Sequence, residues 1–191
     1  MKAGLIGLPT VGKTTFFNLL TDAGVKTSAF SSGKVQANLA LARVPDERIG
    51  FLAGIYHPKK TTYAQIEVTD VPGLVRGASE GLGVGNQFLD SIRNMDALIH
   101  IVRAFSDKSI VHADGSIDII RDIETIDIEL LLADLQLVET RVERIEASRK
   151  VTKEMEAERE VLMKLREALE NEVRLSHLEL TGEERGILEH L

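Results

Sequence analysis

Near the start of the chain, two glycines, a lysine and two threonines stand at a spacing that suits anion binding. Gly7-x-x-x-x-Gly12-Lys13-Thr14 is the pattern of a phosphate-binding loop. Wrapping a phosphate with inward-aimed backbone N–H groups requires close approach and sharp turning, which glycine allows. The positive end of a helix following the loop would face the anion. The segment Pro9, Thr10, Val11, Gly12, Lys13, Thr14, Thr15 is therefore expected to hold a nucleotide, ATP or GTP. In that chemistry Lys13 reaches the β- and γ-phosphates and the Thr14 hydroxyl ligates Mg²⁺.

A second constellation agrees with the first. Asp70-Val71-Pro72-Gly73 offers a carboxylate to Mg²⁺ through water and a glycine N–H to the γ-phosphate, the arrangement of nucleotide switches. D-x-x-G alone is a weak signal, and its place at the end of an alternating strand makes it informative. Leu74 follows where many switch GTPases carry a glutamine that orients water. A leucine cannot hydrogen-bond water, so the nucleophile must be placed by another group or hydrolysis must be slow.

The surrounding pattern supplies elements to position these residues. Lys2–Leu8 is an apolar run that reads as a buried strand, and Lys13–Leu20 switches to helical spacing. Thr21–Lys34 is rich in Gly, Ser and Thr and reads as a mobile loop. Val35–Val44 alternates as a half-exposed strand with Val35, Leu39 and Leu41 on one side, and Pro45 is expected at the first position of a helix. Another alternating strand stops at Asp70, a glycine-laden loop covers Val71–Gly85, a helix lies around Asn86–Asn94, and Asp96–Phe105 reads as a fourth strand. Such alternation argues an α/β sheet with helices packed on its faces.

From about Asp118 the period changes. Ile119, Ile123, Ile126, Leu130, Ala133 and Leu137 form an apolar seam, and Val151, Met155, Leu162, Leu165 and Leu169 form a weaker one. The two are expected to fold back as an antiparallel helical pair. Thr181 and Glu184 are spaced as a capping box opening a last helix.

Charge divides along the same line. Residues 1–115 carry 12 Lys+Arg against 10 Asp+Glu, a net +2, whereas residues 116–191 carry 11 against 20, a net −9. The acidic second part has no basic footprint for nucleic acid, so direct DNA binding is not expected. The chain has no cysteine, which removes disulfides and thiolate metal sites. Without a leader-like start or a long apolar run, neither targeting nor membrane spanning is expected, and a cytoplasmic location is the default.

"GLPTVGKTTFFNLL", "VPDERIGFLAGIYHPKK", "DVPGLVRGASEGLGVGNQFLDSIRNMDALIHIVRAF" and "DIETIDIELLLADL" together resemble the YchF/Obg-like ATPases, a branch of the translation-factor-related P-loop NTPases. That resemblance implies a three-layer P-loop NTPase domain interrupted by an antiparallel, coiled-coil-like helical arm and followed by a TGS domain. It also implies ATP hydrolysis in preference to GTP, and association with ribosomes. On this reading residues 1–118 form the NTPase domain, 119–178 the arm and 179–191 a returning helix. The base-reading motif, Asn-Lys-x-Asp or Asn-x-x-Glu, does not occur in the sequence, so the chain is read as an N-terminal fragment.

Two departures stand out. Thr10 replaces the family's usual asparagine, which bears on any monovalent-cation site, and Lys34 aligns with the switch threonine, leaving Ser31 or Ser32 as substitutes. The family is thought to use a loop histidine where glutamine is missing, and His112 matches it. By itself His112 reads as a surface-loop histidine. The catalytic set expected is thus Lys13, Gly73 and His112, with Thr14 and Asp70 at the metal. An Obg-type GTPase, and a nucleotide-sensing partner-binding module with little turnover, remain open beside the ATPase. A small-molecule kinase fits less well, because Arg141, Arg144 and Arg149 read as a solvated helix face and not as a lid.

Overall fold

The computed structural model describes residues 1–26, 37–74 and 91–188. Two compact units are present, Met1–Ile126 and Asp127–Leu191.

In the first unit the elements run β1 (Lys2–Ile6), α1 (Lys13–Thr21), β2 (Asn38–Arg43), α2 (Glu47–Tyr56), β3 (Gln65–Asp70) and β4 (Ala97–His100). The strands form one sheet in the order β2-β3-β1-β4. β1 is parallel to both neighbours, and β2 is antiparallel to β3. A central parallel strand is covered on both faces, which is why β1 is an unbroken apolar run, with Ala3, Leu5 and Ile6 all buried. Phe17 on α1 is wholly buried and packs with Leu5, Ala42 and Val68, fixing α1 to the sheet.

β2 alternates as expected, but its inward side carries the alanines. Ala40 and Ala42 pack toward the Phe17 cluster, while Leu39 and Leu41 are 61% and 52% exposed. Phenylalanines from α1 fill the space there and leave room only for methyl groups.

Two boundaries differ from expectation. α2 starts at Glu47, not Pro45, because Asp46 is its N-cap and accepts a hydrogen bond from the Arg48 N–H at 2.9 Å. β4 ends at His100, short of Phe105. The Ile101 N–H still donates to the Ile6 carbonyl at 2.9 Å, but Arg103 then turns inward. It is 2% exposed and donates to the carbonyls of Phe105 (3.2 Å), Asp107 (3.0 Å) and Ile110 (3.1 Å), organising a loop where a strand was expected. Val35, most of the loop expected through Lys34, the glycine-laden loop from Val75 on, and most of the helix expected around Asn86–Asn94 lie outside the described residues.

α3 (Ile119–Glu146) spans the boundary between the units, and α4 (Lys153–Glu170), a 3₁₀ turn (Leu175–His177) and α5 (Gly182–Leu188) complete the second. Val138, Val142 and Ile145 pack on Leu162, Leu165 and Leu169. The seam therefore shifts by one residue: Leu137 is 43% exposed, since α4 covers the face that carries Val138. Val151 is also outside the seam, because Thr152 caps α4 and leaves Val151 before the helix. Ion pairs Arg159–Glu146, Arg141–Glu158 and Arg174–Asp127 step away from the turn in both directions, the register of an antiparallel pair. The expected capping box is present, with the Thr181 N–H donating to Glu184 Oε2 at 2.7 Å and the Glu184 N–H to Thr181 Oγ1 at 3.2 Å.

Among the described residues, no helix is long and apolar enough to cross a membrane. Leu162 is fully buried at the centre of the helical pair. Leu162→Ala is expected to lower the stability of the second unit by roughly 2–5 kcal/mol in urea denaturation followed by helical circular dichroism.

Candidate functional site

The site grows from the way β1 ends. Leu5 lies opposite Asp70 in the β1–β3 ladder, so both strands finish at the same edge of the sheet. After Ile6 the chain enters a loop that only particular residues can follow. Gly7 has φ of 146°, and a Cβ there would sit 2.3 Å from the Ile101 carbonyl oxygen, so a side chain is excluded by space as well as by conformation. The loop ends at Gly12, the N-cap of α1, at φ of 106°. Among the described residues no side chain caps this helix start, which leaves its first N–H groups for a ligand.

Lys13 is 7% exposed and folds back over the loop, donating from Nζ to the carbonyls of Gly7 (3.0 Å) and Leu8 (2.7 Å). Burial pushes its ammonium down from 10.5 to about 8, partly opposed by the negative charge of Asp70. Next to it the Thr14 hydroxyl donates to Asp70 Oδ2 at 2.7 Å. Asp70 is 6% exposed, and its other oxygen, Oδ1, is buried without a partner among the described residues. A buried carboxylate oxygen left unpaired beside a threonine hydroxyl is what a bound cation or its water would complete.

The exit of β3 closes against the loop. The Val71 N–H donates to the Leu5 carbonyl and the Leu74 N–H to the Gly7 carbonyl. Between them a Cβ on Gly73 would lie 2.9 Å from the backbone N and Cα of Pro9. The glycine of D-x-x-G is thus required by contact with the phosphate loop itself. Leu74 is 2% exposed and packed. Thr15 is exposed, and Val11 is buried. Ser31, Ser32 and Lys34 lie outside the described residues.

Thr10 adopts φ of 60°, a left-handed conformation that is an outlier for a β-branched residue and costs about 1–3 kcal/mol. Its hydroxyl donates to the Val111 carbonyl at 2.8 Å, tying the phosphate loop to the loop that carries His112.

His112 is buried rather than on the surface, with 7% exposure. Nε2 lies 2.8 Å from Asp122 Oδ2, and Nδ1 accepts from the Asp114 N–H at 3.1 Å. Accepting at Nδ1 places the ring hydrogen on Nε2, donating to Asp122. Asp122 in turn accepts from Arg121 at Oδ1 (2.8 Å), and Arg121 also lies 3.7 Å from Asp114. His112, Asp114 and Asp122 are close enough to hold a cation, and the one Arg121 guanidinium offsets one of the two carboxylate charges. The sequence reading missed Arg103, Arg121 and Asp122. Arg103 lies inside the run Asp96–Phe105 that reads as a strand, and Asp122 lies between the apolar positions of the seam from Ile119 to Leu137.

The model of the 50S ribosome-binding GTPase family matches residues 2–162 of this chain. Over its whole length the chain is 43% identical to the ribosome-binding ATPase YchF of Bacillus subtilis, covering 52% of that protein. The chain belongs to the YchF/Obg-like ATPase family. It is 42% identical to Obg-like ATPase 1 of Oryza sativa subsp. indica over 90% of the chain and 44% of that protein. The solved YchF GTPase of Schizosaccharomyces pombe superposes on all of the chain and 52% of its own with a TM-score of 0.75 at 35% identity. The α/β fold is thus the P-loop NTPase fold of this family, and the chain spans about half the length of the relatives it matches.

The depressed lysine sets a pH dependence. Between pH 8 and 10.5 the unfolded chain holds the Lys13 proton and the folded chain releases it, so folding stability must rise with pH in that window. Relative to Lys13→Met, the wild type should gain about 3 kcal/mol across it, read from urea midpoints of the ligand-free chain.

Proposed function

We propose that the chain is the nucleotide-binding part of a Mg²⁺-dependent nucleoside triphosphatase that hydrolyses ATP in preference to GTP and acts as a nucleotide switch on ribosomes in the cytoplasm. The observation that carries this reading is a buried pair of groups at one loop: Lys13, which donates to the Gly7 and Leu8 carbonyls, and Asp70, with one oxygen unpaired among the described residues beside Thr14. Phosphate is the ligand that suits the first, and a hard cation suits the second. The choice of ATP and of ribosomes rests on the relatives, which are named ribosome-binding ATPases.

In this mechanism the N–H groups from Thr10 to Thr15 and the start of α1 cradle the phosphates, and Lys13 stabilises charge that develops on the β- and γ-oxygens. Thr14 and Asp70 would hold Mg²⁺, which would supply neutralisation of the phosphate charge. The Gly73 N–H is assigned to the γ-phosphate. Leu74 is buried and offers no hydrogen bond to water, so His112 is assigned to placing the nucleophile. In the structure both ring nitrogens of His112 are engaged, so this role requires its pair with Asp122 to open.

The engaged histidine also favours a second reading, a nucleotide-sensing module that grips its partner and turns over slowly. Turnover separates the two. His112→Ala should lower kcat by roughly 10²-fold while nucleotide affinity is unchanged; an unaltered kcat would remove His112 from the mechanism and favour the sensing module.

The phosphate site itself is tested by calorimetric titration with ATP and GTP in Mg²⁺. Binding of both nucleotides, lost in Lys13→Ala, is the expected result. Undiminished binding by that variant would overturn the reading, and a clear preference for GTP would replace ATP by GTP as the substrate.

A further inference from the structure

The loop between β4 and α3 is built from its own atoms. Arg103, buried to 2% exposure, donates to three carbonyls of this loop and lies with its guanidinium 4.9 Å over the Phe105 ring. The Ile110 N–H donates to the Asp107 carbonyl, the Gly115 N–H to the His112 carbonyl, and the Asp114 N–H to His112 Nδ1. These bonds tie the loop to itself across Arg103–Gly115. Its side-chain link to the phosphate loop is the hydroxyl of Thr10, which donates to the Val111 carbonyl at 2.8 Å, one residue before His112.

Thr10 sits at φ of 60° in the middle of the phosphate loop, a conformation that asparagine or glycine adopts more readily. A threonine there is explained by what its hydroxyl does. Its backbone is also part of the cradle, so any adjustment of the loop around a phosphate changes the direction in which that hydroxyl points. The left-handed well is narrow for a β-branched residue, and the link is stiff for that reason.

We propose that Thr10 is a positioning residue that couples the phosphate loop to the Arg103-built loop, so that filling the phosphate loop is felt at His112. This rests on the phosphate-site reading above. The coupling acts through one hydrogen bond, made by the Thr10 side chain to the Val111 carbonyl.

Hydrogen exchange tests the coupling without depending on turnover. The amides of Ile110, Asp114 and Gly115 are bonded within the loop and report its state. Three chains are compared with and without Mg²⁺-ADP at concentrations that saturate each: wild type, Thr10→Ser, which keeps the donor, and Thr10→Gly, which removes the donor and also relieves the left-handed strain.

In wild type and Thr10→Ser, nucleotide should change the exchange rates of these three amides by at least about threefold. In Thr10→Gly the change should vanish at a Mg²⁺-ADP concentration that titration shows to saturate that variant. A merely structural role predicts the reverse order, since glycine suits this backbone better than serine. A nucleotide response kept in Thr10→Gly, lost in Thr10→Ser, or absent from a wild type that binds nucleotide would overturn the proposal and leave the phosphate site standing. Failure of the wild type to bind nucleotide overturns both.

Discussion

Everything at the site depends on the parallel pairing of β1 with β3 in the register that sets Leu5 beside Asp70. That register brings the carboxylate to the start of α1, where Thr14 bonds it at 2.7 Å. Because strand side chains alternate, a slip of one residue would turn Asp70 to the opposite face and bring Thr69 in its place. The apolar run of β1 and the burial of Val68 and Phe17 hold the register, so the core that stabilises the sheet also aligns the polar groups. Gly73 is the second consequence, since a chain leaving β3 at this point must cross the phosphate loop at backbone contact distance.

The same edge of the sheet concentrates unfavourable terms. An ammonium is buried against carbonyls, a carboxylate oxygen has no donor among the described residues, and a threonine is held left-handed. Low-dielectric surroundings make each of these more costly than it would be in water. Unfavourable groups gathered in one place are expected where a ligand will satisfy them, because binding then relieves terms that folding had to carry. An anion beside Lys13 would compensate its buried charge, and a cation beside Asp70 would complete its coordination. The free chain is therefore less stable than its packing alone would make it, and the difference is available to binding.

How much of this was legible follows from the range of the interactions. The phosphate loop, Asp70 and Gly73 are short patterns whose chemistry demands particular residues at fixed spacing, and they stand where the sequence placed them. The capping box at Thr181 and Glu184 was legible for the same reason. Periodicity found the two long helices and the buried faces at Ile126, Ala133, Leu162, Leu165 and Leu169 but misplaced the seam at Leu137, since Leu137 and Val138 both suit an apolar seam and only α4 decides which is covered. Alternation found β2 but not which side was inward, because the bulk of Phe17 lies elsewhere in the chain. Least legible were Arg103 and the Asp122–His112 contact. A buried arginine bonding carbonyls two, four and seven residues away leaves no mark in a hydrophobic pattern.

The His112 network shows how a satisfied buried group can still be available for exchange. Separating His112 from Asp122 would ordinarily strand a buried carboxylate, a loss of about 3–5 kcal/mol when the charge is left uncompensated. Here Asp122 is held from its other oxygen by Arg121, whose side chain is 27% exposed and reaches solvent. The carboxylate keeps its counter-ion when the histidine leaves, so opening forfeits one hydrogen bond, roughly 1–3 kcal/mol. Asp114 restrains the ring only through a backbone N–H, which water can replace. Departure of the histidine thus leaves no buried charge alone. That asymmetry distinguishes a ring that can exchange partners from one locked into a core.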